Sequence, residues 1–589
     1  MGDTTWMLYN KKADFAGLAK RFAVDPVVIR VMTNRDISGE EMAGFLRPSM
    51  DILHDPHGLK DADKAAQLIR EAVSQGKKVR VIGDYDVDGI FSTYILTAGL
   101  RRVGAEVSYD IPHRITDGYG MNRRLVEQAK ADGIELIVTC DNGIKALDEV
   151  ELARGLGMTV VVTDHHELGF DLDEAGQKQY RLPAADAVVN PHQPDCSYPF
   201  PEICGAVVAW KLVTVLYEAC GIGEKEAMAF LPYAAFATIG DIMPLRDENR
   251  SIVYYGLKEM PGVDNPGLLS LMERTGVVDR PVNPYDVGFI LGPCFNASGR
   301  LDTALRGVGL LLEQDSSKAS EMAEAMRNLN DQRKSMTEQG TEEAIARIEE
   351  EGRMEDDVLV VYVPTLHESL AGIVAGRIKE RYYRPTFVLT DGKECVKGSG
   401  RSIPGYSMAQ KLHDVEGLLD RYGGHPMAAG VSLQKDRIEE FRRILNERSG
   451  LTKKDLVATL WIDVAMPTAY ITKELILQLE SLEPFGEGNE KPLFAEKEVA
   501  PVGLRYMGKE SQYLKFTLPG NGRDRLEAVY FGDGPGLAAR LEEKYGKAEV
   551  DKLFEGRASA VRLTFAYYPQ INSFNGRETL QVRIEDYKL

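Results

Sequence analysis

The sequence predicts an α/β protein built as a parallel-sheet domain, a long connecting helix, a second α/β domain and a C-terminal β-barrel. Three observations predict it. From Lys77 onward, apolar strands alternate with helical stretches of about 10–15 residues, the pattern of βαβ units and a sheet covered on both faces. Between Asp315 and Gly352 the chain runs without proline and with a single internal glycine. Beyond Pro492 short alternating strands are separated by turn signals.

In order, residues 1–60 read as a helical lead-in to the first domain, which spans 61–314. Its strands are "KKVRVIGDYD", "AEVSYDIP", "IELIVTCDNG", "MTVVVTDHH" and "AADAVVNP"; "GIFSTYILTAGLRRVG", "MNRRLVEQAKADG" and "KALDEVELARGLG" are the intervening helices, and 203–260 reads as mainly helical. Residues 315–355 form the connecting helix; its apolar positions are sparse, which predicts a polar, solvent-bridging rod. "DDVLVVYVP" opens the second α/β domain, 356–450. Residues 451–589 hold a Gly/Pro-rich hinge at 482–494 and then the barrel, of OB type, with Asn575-Gly576 as a hairpin turn.

With 589 residues the chain exceeds what one core supports. Hydrophobic content of 44% and charged content of 27% are ordinary for a globular protein. No apolar run is long enough for a membrane span, and the N-terminus lacks the apolar core of a signal peptide. Six cysteines without a CxxC read as reduced thiols, so a cytoplasmic location is expected. Taken alone, the net charge of −19 argues against a nucleic-acid binder, although a metal site needs carboxylates and a local basic groove can coexist with an acidic body. It is unevenly spread: from Pro492 to the end, 15 Lys and Arg meet 14 Asp and Glu, so that segment tolerates a polyanion best.

Three predicted strands end in acid: "VRVIG" leads to Asp84, Asp86 and Asp88, "LIVTC" to Asp141, and "VVVT" to Asp164, His165 and His166. In open parallel sheets ligands bind at the carboxyl ends of the strands. Carboxylates gathered there repel one another unless a cation compensates, and carboxylates with one or two imidazoles suit Mn²⁺ or Mg²⁺. Singly these residues have plainer readings. Asp141 alone reads as a helix cap, "DYDVDG" as a calcium turn lacking its downstream Glu, and the His pair as surface or core. Their ordered recurrence at successive strand ends favours a metal site.

"GDYDVDG", "TCDNG", "TDHHE" and "FATIGDIMPL" resemble the four motifs of the DHH phosphoesterase superfamily. "IPHRITDGYG", "GPCFNASGRLDTA", "HESLAGIVAGRI", "GSGRSI" and "YGGHPMAAG" are similar to the RecJ branch, single-strand-specific 5′→3′ DNA exonucleases with DHH, DHHA1 and OB-type domains. The resemblance covers nearly the whole chain in order. It implies a phosphodiester hydrolase with two divalent ions, Mn²⁺ or Mg²⁺, releasing 5′-mononucleotides in DNA repair and recombination. Asp86 and Asp141 would hold one ion with Asp84 nearby; Asp88, Asp141, His165 and Asp241 would hold the other. Asp164 would orient its neighbours and His166 would face the scissile phosphate.

The resemblance also implies that Arg114, Ser399 and Arg401 line a 5′-phosphate pocket and that Arg300, Arg377 and His425 touch the DNA backbone. It points to a monomer with single-stranded DNA, a RecQ-type helicase and a single-strand-binding protein as partners. Tyr506, Tyr513, Phe516, Tyr567, Tyr568 and Phe574 are candidate stacking faces, with core packing as their other reading. Three positions depart from the family pattern: Cys294 where Arg is expected after Pro293, Gly376 in place of serine, and Asn142 where cysteine is frequent. They bear on DNA grip rather than on metal ligation. A DHH phosphoesterase of very short oligonucleotides or of a small phosphorylated metabolite and a non-catalytic single-strand binder or replication scaffold are the competing functions; the barrel and connector argue against the first, the intact acids against the second.

Overall fold

The computed structural model describes residues 4–173, 176–519, 525–574 and 576–589, without the side chains of Phe574 and Arg577. The chain forms two compact units, residues 50–458 and residues 4–49 with 459–589.

The first unit opens with strand β1 (Lys78–Ile82), helix α1 (Val87–Arg102) and strands β2 (Glu106–Asp110), β3 (Leu136–Thr139), β4 (Thr159–Thr163) and β5 (Ala187–Val189). All strand pairs are parallel, in the order β2-β1-β3-β4-β5. Val79, Val81, Val138 and Val161 pack on one face with α1 and helix α2 (Gly205–Ala219). Ile82, Ile137, Val160 and Val162 pack on the other, under the helices 123–131 and 147–155. Burial on both faces explains the near-continuous Val/Ile runs. The chain leaves β1 toward β2 on one side and returns to β3 on the other, so the β1–β3 boundary is a topological switch point. Helix α3 (Leu231–Gly240) ends on Asp241.

Helix α4 (Gly292–Leu301) precedes the connecting helix α5 (Ser316–Glu350), capped by Asp315, whose carboxylate accepts from the Lys318 amide at 2.9 Å. The expectation of a solvent-bridging rod is corrected here: Ala319, Ala323, Met326, Asn330, Thr337, Gly340, Ala344 and Ile348 form a buried stripe along α5. Small and polar residues fill it, so the pattern of large apolar residues under-reports the contact. Strand β6 (Leu359–Tyr362), helix α6 (Ala371–Tyr382) and strands β7 (Thr386–Asp391), β8 (Val396–Arg401), β9 (Arg421–His425) and β10 (Ala428–Leu433) complete the unit. Their sheet runs β9-β10-β8-β7-β6, with only β6–β7 parallel.

The second unit corrects two boundaries. Residues 4–49 are not a lead-in to the first domain: strand Thr5–Leu8 pairs with Thr459–Ile462, and Val28, Ile29, Val31 and Met32 share a core with Leu475, Ile476 and Leu479. Helix Pro26–Asn34 shares its apolar core with helix Lys473–Glu480 and strand 464–465, from the far end of the sequence, which local pattern cannot reveal. The 482–494 stretch is an internal turn of this unit rather than a hinge, pinned by the Asn489 amide, which donates to the Leu482 and Pro484 carbonyls at 2.8 Å each. The seven-stranded sheet takes the order 464–465, 494–499, 563–574, 577–588, 525–530, 513–519, 503–507. Asn575, the expected turn residue, lies outside the described residues; the strands on either side of it pair antiparallel. No helix among the described residues is long and apolar enough to cross a membrane.

This pairing of the chain's two ends carries a prediction. Ending the chain at Ala458 should uncover the apolar face of helix 26–34, so the shortened protein is expected to aggregate or to lose a cooperative unfolding transition. Removing 1–49 together with 459–589 should restore a soluble, cooperatively unfolding species in calorimetry, and equal behaviour of the two truncations would contradict the assignment.

Candidate metal centre and nucleic-acid interface

The switch point gathers the acids. Asp84 follows β1 and is fully buried, its Oδ1 without a hydrogen-bond partner among the described residues. Asp86 caps α1, accepting from the Gly89 amide at 3.0 Å. Asp88, in the first turn of α1, is buried and accepts from the Gly205 and Ala206 amides at 2.6 and 2.8 Å, the N-terminus of α2. Asp141, just past β3, takes a left-handed backbone (φ 57°) that turns its side chain into the site.

The imidazoles follow β4. His165 Nε2 lies 3.1 Å from Asp141 Oδ1 and 3.6 Å from both Asp88 Oδ2 and Asp241 Oδ2. Asp164 is enclosed: it accepts from the amides of Ile144 (2.9 Å), His165 (2.8 Å) and His166 (3.1 Å), and sits 2.7 Å from His166 Nδ1. Two donor groups emerge, each with its ligand atoms within 4.8 Å of one another: Asp84, Asp86 and Asp141, and Asp88, His165 and Asp241. A third, Asp141, His165 and His166, overlaps both.

The electrostatics have the sign of a cation site. Burial, then the neighbouring carboxylates, push Asp84 and Asp141 well above the usual carboxylate range. Burial raises Asp88, and burial with Asp88 and Asp86 pushes Asp241 up to about 9. Burial also holds His165 below its ordinary value, favouring the neutral imidazole that ligates metal. Asp164 behaves oppositely: burial alone would raise it, but the His166 hydrogen bond and both imidazoles hold it down. Burial would lower His166; its bond to Asp164 outweighs that and lifts it to about 9. An orphaned buried carboxylate oxygen and an oxygen-rich donor set with a neutral imidazole fit two divalent ions of the Mn²⁺ or Mg²⁺ class.

The arginines gather beside this centre. Tyr85 stands between Asp84 and Asp86, and the Arg114 guanidinium carbon lies 3.8 Å from its ring centroid. Arg114 Nε is buried without a partner among the described residues. Gly299, one residue before Arg300, approaches the Tyr85 carbonyl so closely that a Cβ there would lie 2.3 Å from it. Arg300 donates to the Ser369 carbonyl at 2.7 Å. Burial, then Arg114, Arg333 and Arg401, bring Arg300 down to about 9. On β8, Arg401 Nη1 lies 3.3 Å from Ser399 Oγ and 2.8 Å from the Gly400 carbonyl. Gly372 at the start of α6 leaves room for both, since a Cβ there would meet Arg401 Nη2 at 2.8 Å and Ser399 Oγ at 2.9 Å.

Not every sequence candidate joins the group. His425 is exposed at the end of edge strand β9, and among the described residues no hydrogen bond or ion pair links it to the arginines. Phe516, Tyr567 and Tyr568 are buried in the core of the second unit and cannot stack on a base; the side chain of Phe574 lies outside the description. Tyr506 remains exposed, stacked on Phe554 with centroids 5.3 Å apart, and Tyr513 meets the exposed Phe531 at the same separation.

The three departures also resolve differently. Asn142 is structural: its amide donates to the Ile82 (3.0 Å) and Cys140 (2.9 Å) carbonyls and accepts from the Met121 amide (3.1 Å), tying β1, β3 and the 118–121 loop together. Gly376 faces open space, so nothing in its surroundings requires glycine. Sequence reasoning missed Tyr119, whose hydroxyl donates to the Asp141 carbonyl at 2.9 Å and lies 3.1 Å from His166 Nδ1. It also missed the Gly205-Ala206 amides under Asp88; the only signal was a glycine opening an apolar helix.

Comparison with known proteins agrees domain by domain. Residues 78–239 match the DHH family N-terminal domain, 355–449 the DHHA1 domain and 462–586 the RecJ OB domain. The single-stranded-DNA-specific exonuclease RecJ of Bacillus subtilis (strain 168) is 34% identical over 574 residues, covering 97% of this chain and 69% of that protein. The chain belongs to the RecJ family. The Escherichia coli (strain K12) RecJ is 33% identical over 551 residues, 90% of each chain. The crystal structure of Thermus thermophilus RecJ with Mn²⁺ superposes with a TM-score of 0.81 at 28% identity, covering 99% of this chain and 79% of that one. The RecJ architecture of DHH, DHHA1 and OB domains is therefore the one expected from the sequence.

Proposed function

We propose that this chain is a single-strand-specific 5′→3′ DNA exonuclease that releases 5′-mononucleotides with two divalent ions, Mn²⁺ or Mg²⁺, in DNA repair and recombination. The observation that carries the reading is the adjacency built by Tyr85. It lies between two acids of the metal centre, its ring lies under Arg114, and its carbonyl touches the chain beside Arg300. A strand whose 5′-phosphate sits among Arg114, Ser399 and Arg401 would present its first internucleotide phosphate to the acids.

Asp84, Asp86 and Asp141 would hold one ion and Asp88, Asp141, His165 and Asp241 the other. Bound there, the ions would supply an activated water and neutralise charge on the phosphoryl group. Asp164 fixes both histidines and engages His166 Nδ1, so His166 Nε2, 3.3 Å from the Tyr119 hydroxyl, would be the atom offered to a non-bridging phosphate oxygen. Hydrolysis joins the water oxygen to phosphorus and breaks the bond to the terminal nucleotide's O3′, which takes up the proton. The shortened strand keeps a 5′-phosphate and can re-enter the arginine pocket. Arg300, Arg377 and His425 would hold the following backbone, His425 by way of the exposed β9 edge. Single-strand choice would come from the cleft between the two α/β domains, with Tyr506–Phe554 and Tyr513–Phe531 as stacking pairs on the OB domain. A monomeric cytoplasmic enzyme working with a RecQ-type helicase and a single-strand-binding protein completes the proposal.

The test is digestion of 5′-labelled single-stranded and duplex DNA with Mn²⁺, Mg²⁺ or EDTA. Mononucleotides should appear from the single strand alone, and EDTA should stop their release. Arg401→Ala should reduce the preference for a 5′-phosphate over a 5′-hydroxyl end roughly tenfold or more. Comparable digestion of duplex, or an unchanged end preference, would count against the proposal.

A further inference from the structure

Arg333 sits on the polar connecting helix, where its sequence context reads as one more solvated cation. Its surroundings are different. Cys294, fully buried on α4, accepts from the Asn330 amide at 3.5 Å, and the buried Asn330 Oδ1 accepts from Arg333 Nε at 3.0 Å. This seat uses only Nε and leaves both Nη groups of the fork available.

Neighbouring charge makes the seat costly. Burial and the adjacent Arg377 hold Arg333 below its ordinary value, and Arg333 in turn acts on Arg300 together with Arg114 and Arg401. Among the described residues none of these five arginines forms an ion pair with a carboxylate, although Arg300 feels Asp86, Arg114 acts on Asp84, and the chain carries 90 Asp and Glu against 71 Lys and Arg. A structural arginine in so acidic a chain would ordinarily find an acid. Like charges left together and unpaired in a half-buried place are a receptor for an anion.

We infer that Arg333 contacts a backbone phosphate of the single strand, seated by Asn330 and Cys294 and lying beyond the terminal-phosphate pocket. This rests on reading the chain as a single-strand exonuclease. The helices give an order: Arg300 stands on α4, Arg333 on α5, whose Asn330 is bonded to Cys294 of α4, and Arg377 on α6, which packs against α5. The track therefore leaves the pocket through Arg300 and continues past Arg333 to Arg377. Position 294 contributes no charge; its sulfur takes up the Asn330 amide, and the connecting helix supplies the cation.

The experiment measures binding of a 5′-phosphorylated dodecamer and a dinucleotide by the full chain in EDTA, across a salt series, for wild type, Arg333→Gln, Arg333→Lys and Asn330→Ala. Arg333→Gln should weaken dodecamer binding roughly tenfold and flatten the slope of log K against log salt by about 0.7. The dinucleotide should lose less than the dodecamer. Arg333→Lys should keep the slope while losing affinity, because the charge stays and the fork goes. Asn330→Ala should lower affinity at a retained slope. The melting temperature of Arg333→Gln should match or exceed that of wild type, since a repelled cation has been removed. An unchanged salt slope, or equal losses on both oligomers together with a lowered melting temperature, overturns the inference. Wild-type protein that failed to digest single strands would instead sink the exonuclease reading; digestion by wild type with an unaltered Arg333→Gln slope sinks only the role of Arg333.

Discussion

Replacing Asp141 by asparagine or alanine is expected to abolish exonuclease turnover, by about 10³-fold or more, while raising the melting temperature of the metal-free protein. Asp141 is the one carboxylate common to two of the donor groups, next to His165 at 3.1 Å. Without a cation its charge is opposed by burial and by Asp88, Asp86, Asp84 and Asp241, so a neutral replacement relieves repulsion. With Mn²⁺ the sign reverses: wild type should gain stability through ligand linkage and the variant should gain little. Asparagine is the cleaner substitution because it tolerates the left-handed backbone at this position. Thermal unfolding with and without Mn²⁺, beside a single-strand digestion assay, reads both effects. A variant that melts lower than wild type in EDTA, or that keeps its turnover, would show that Asp141 is not a strained metal ligand.

Gly205→Ala should be nearly as damaging, though Gly205 carries no functional group. A Cβ there would lie 2.8 Å from Asp141 Cβ, 3.0 Å from Asp141 Cα and 3.0 Å from Asp88 Oδ2. It would push apart the two acids that must converge and draw Asp88 off the α2 amides. A displacement of that size costs about 10² in rate, and forced overpacking about 1–3 kcal/mol of stability. Gly155→Ala, facing open space at the end of helix 147–155, should leave digestion unchanged. Digestion rates across a Mn²⁺ titration for the two alanine variants make the comparison; equal rates would mean that the α2 N-terminus has slack the packing does not suggest.

That acids and imidazoles would gather at one sheet edge was legible locally, except for Asp241, which follows an apolar helix and was placed by the resemblance alone. Acids and imidazoles within a few residues of a buried Val/Ile strand stand where a parallel sheet opens its ligand crevice, as Asp84, Asp86 and Asp88 do after β1, Asp141 after β3, and Asp164 and His165 after β4. What supports the acids was hidden, because it comes from elements far along the chain. The amides under Asp88 belong to a helix 117 residues later. The indole of Trp6 donates to Asp586 at 2.8 Å across 580 residues of sequence, so nothing near residue 6 could say which domain it joins. Arg333 looked solvated because its helix face is lined by Asn, Thr and Ala instead of Leu or Phe. The burial of Phe516 did leave a trace: it shares strand parity with Leu514 and Leu518, both buried, whereas Tyr513 has the opposite parity and is only partly buried.

The connecting helix has a consequence for how the two α/β domains can move. Its first half contributes Ala323 and Met326 to the core of the first α/β domain, and its second half contributes Ala344 and Ile348 to that of the second. At Gly340 a Cβ would come within 2.6 Å of Leu366, so the helix lies flush against the second domain. One continuous rod of 35 residues thus belongs to two cores, and neither domain can swing without tearing part of its own interior from it. The acids stand on one domain, and Ser399 and Arg401 on the other. The rod therefore fixes the interval between the acids and the Ser399–Arg401 pair, so the two halves of the first unit behave as one body.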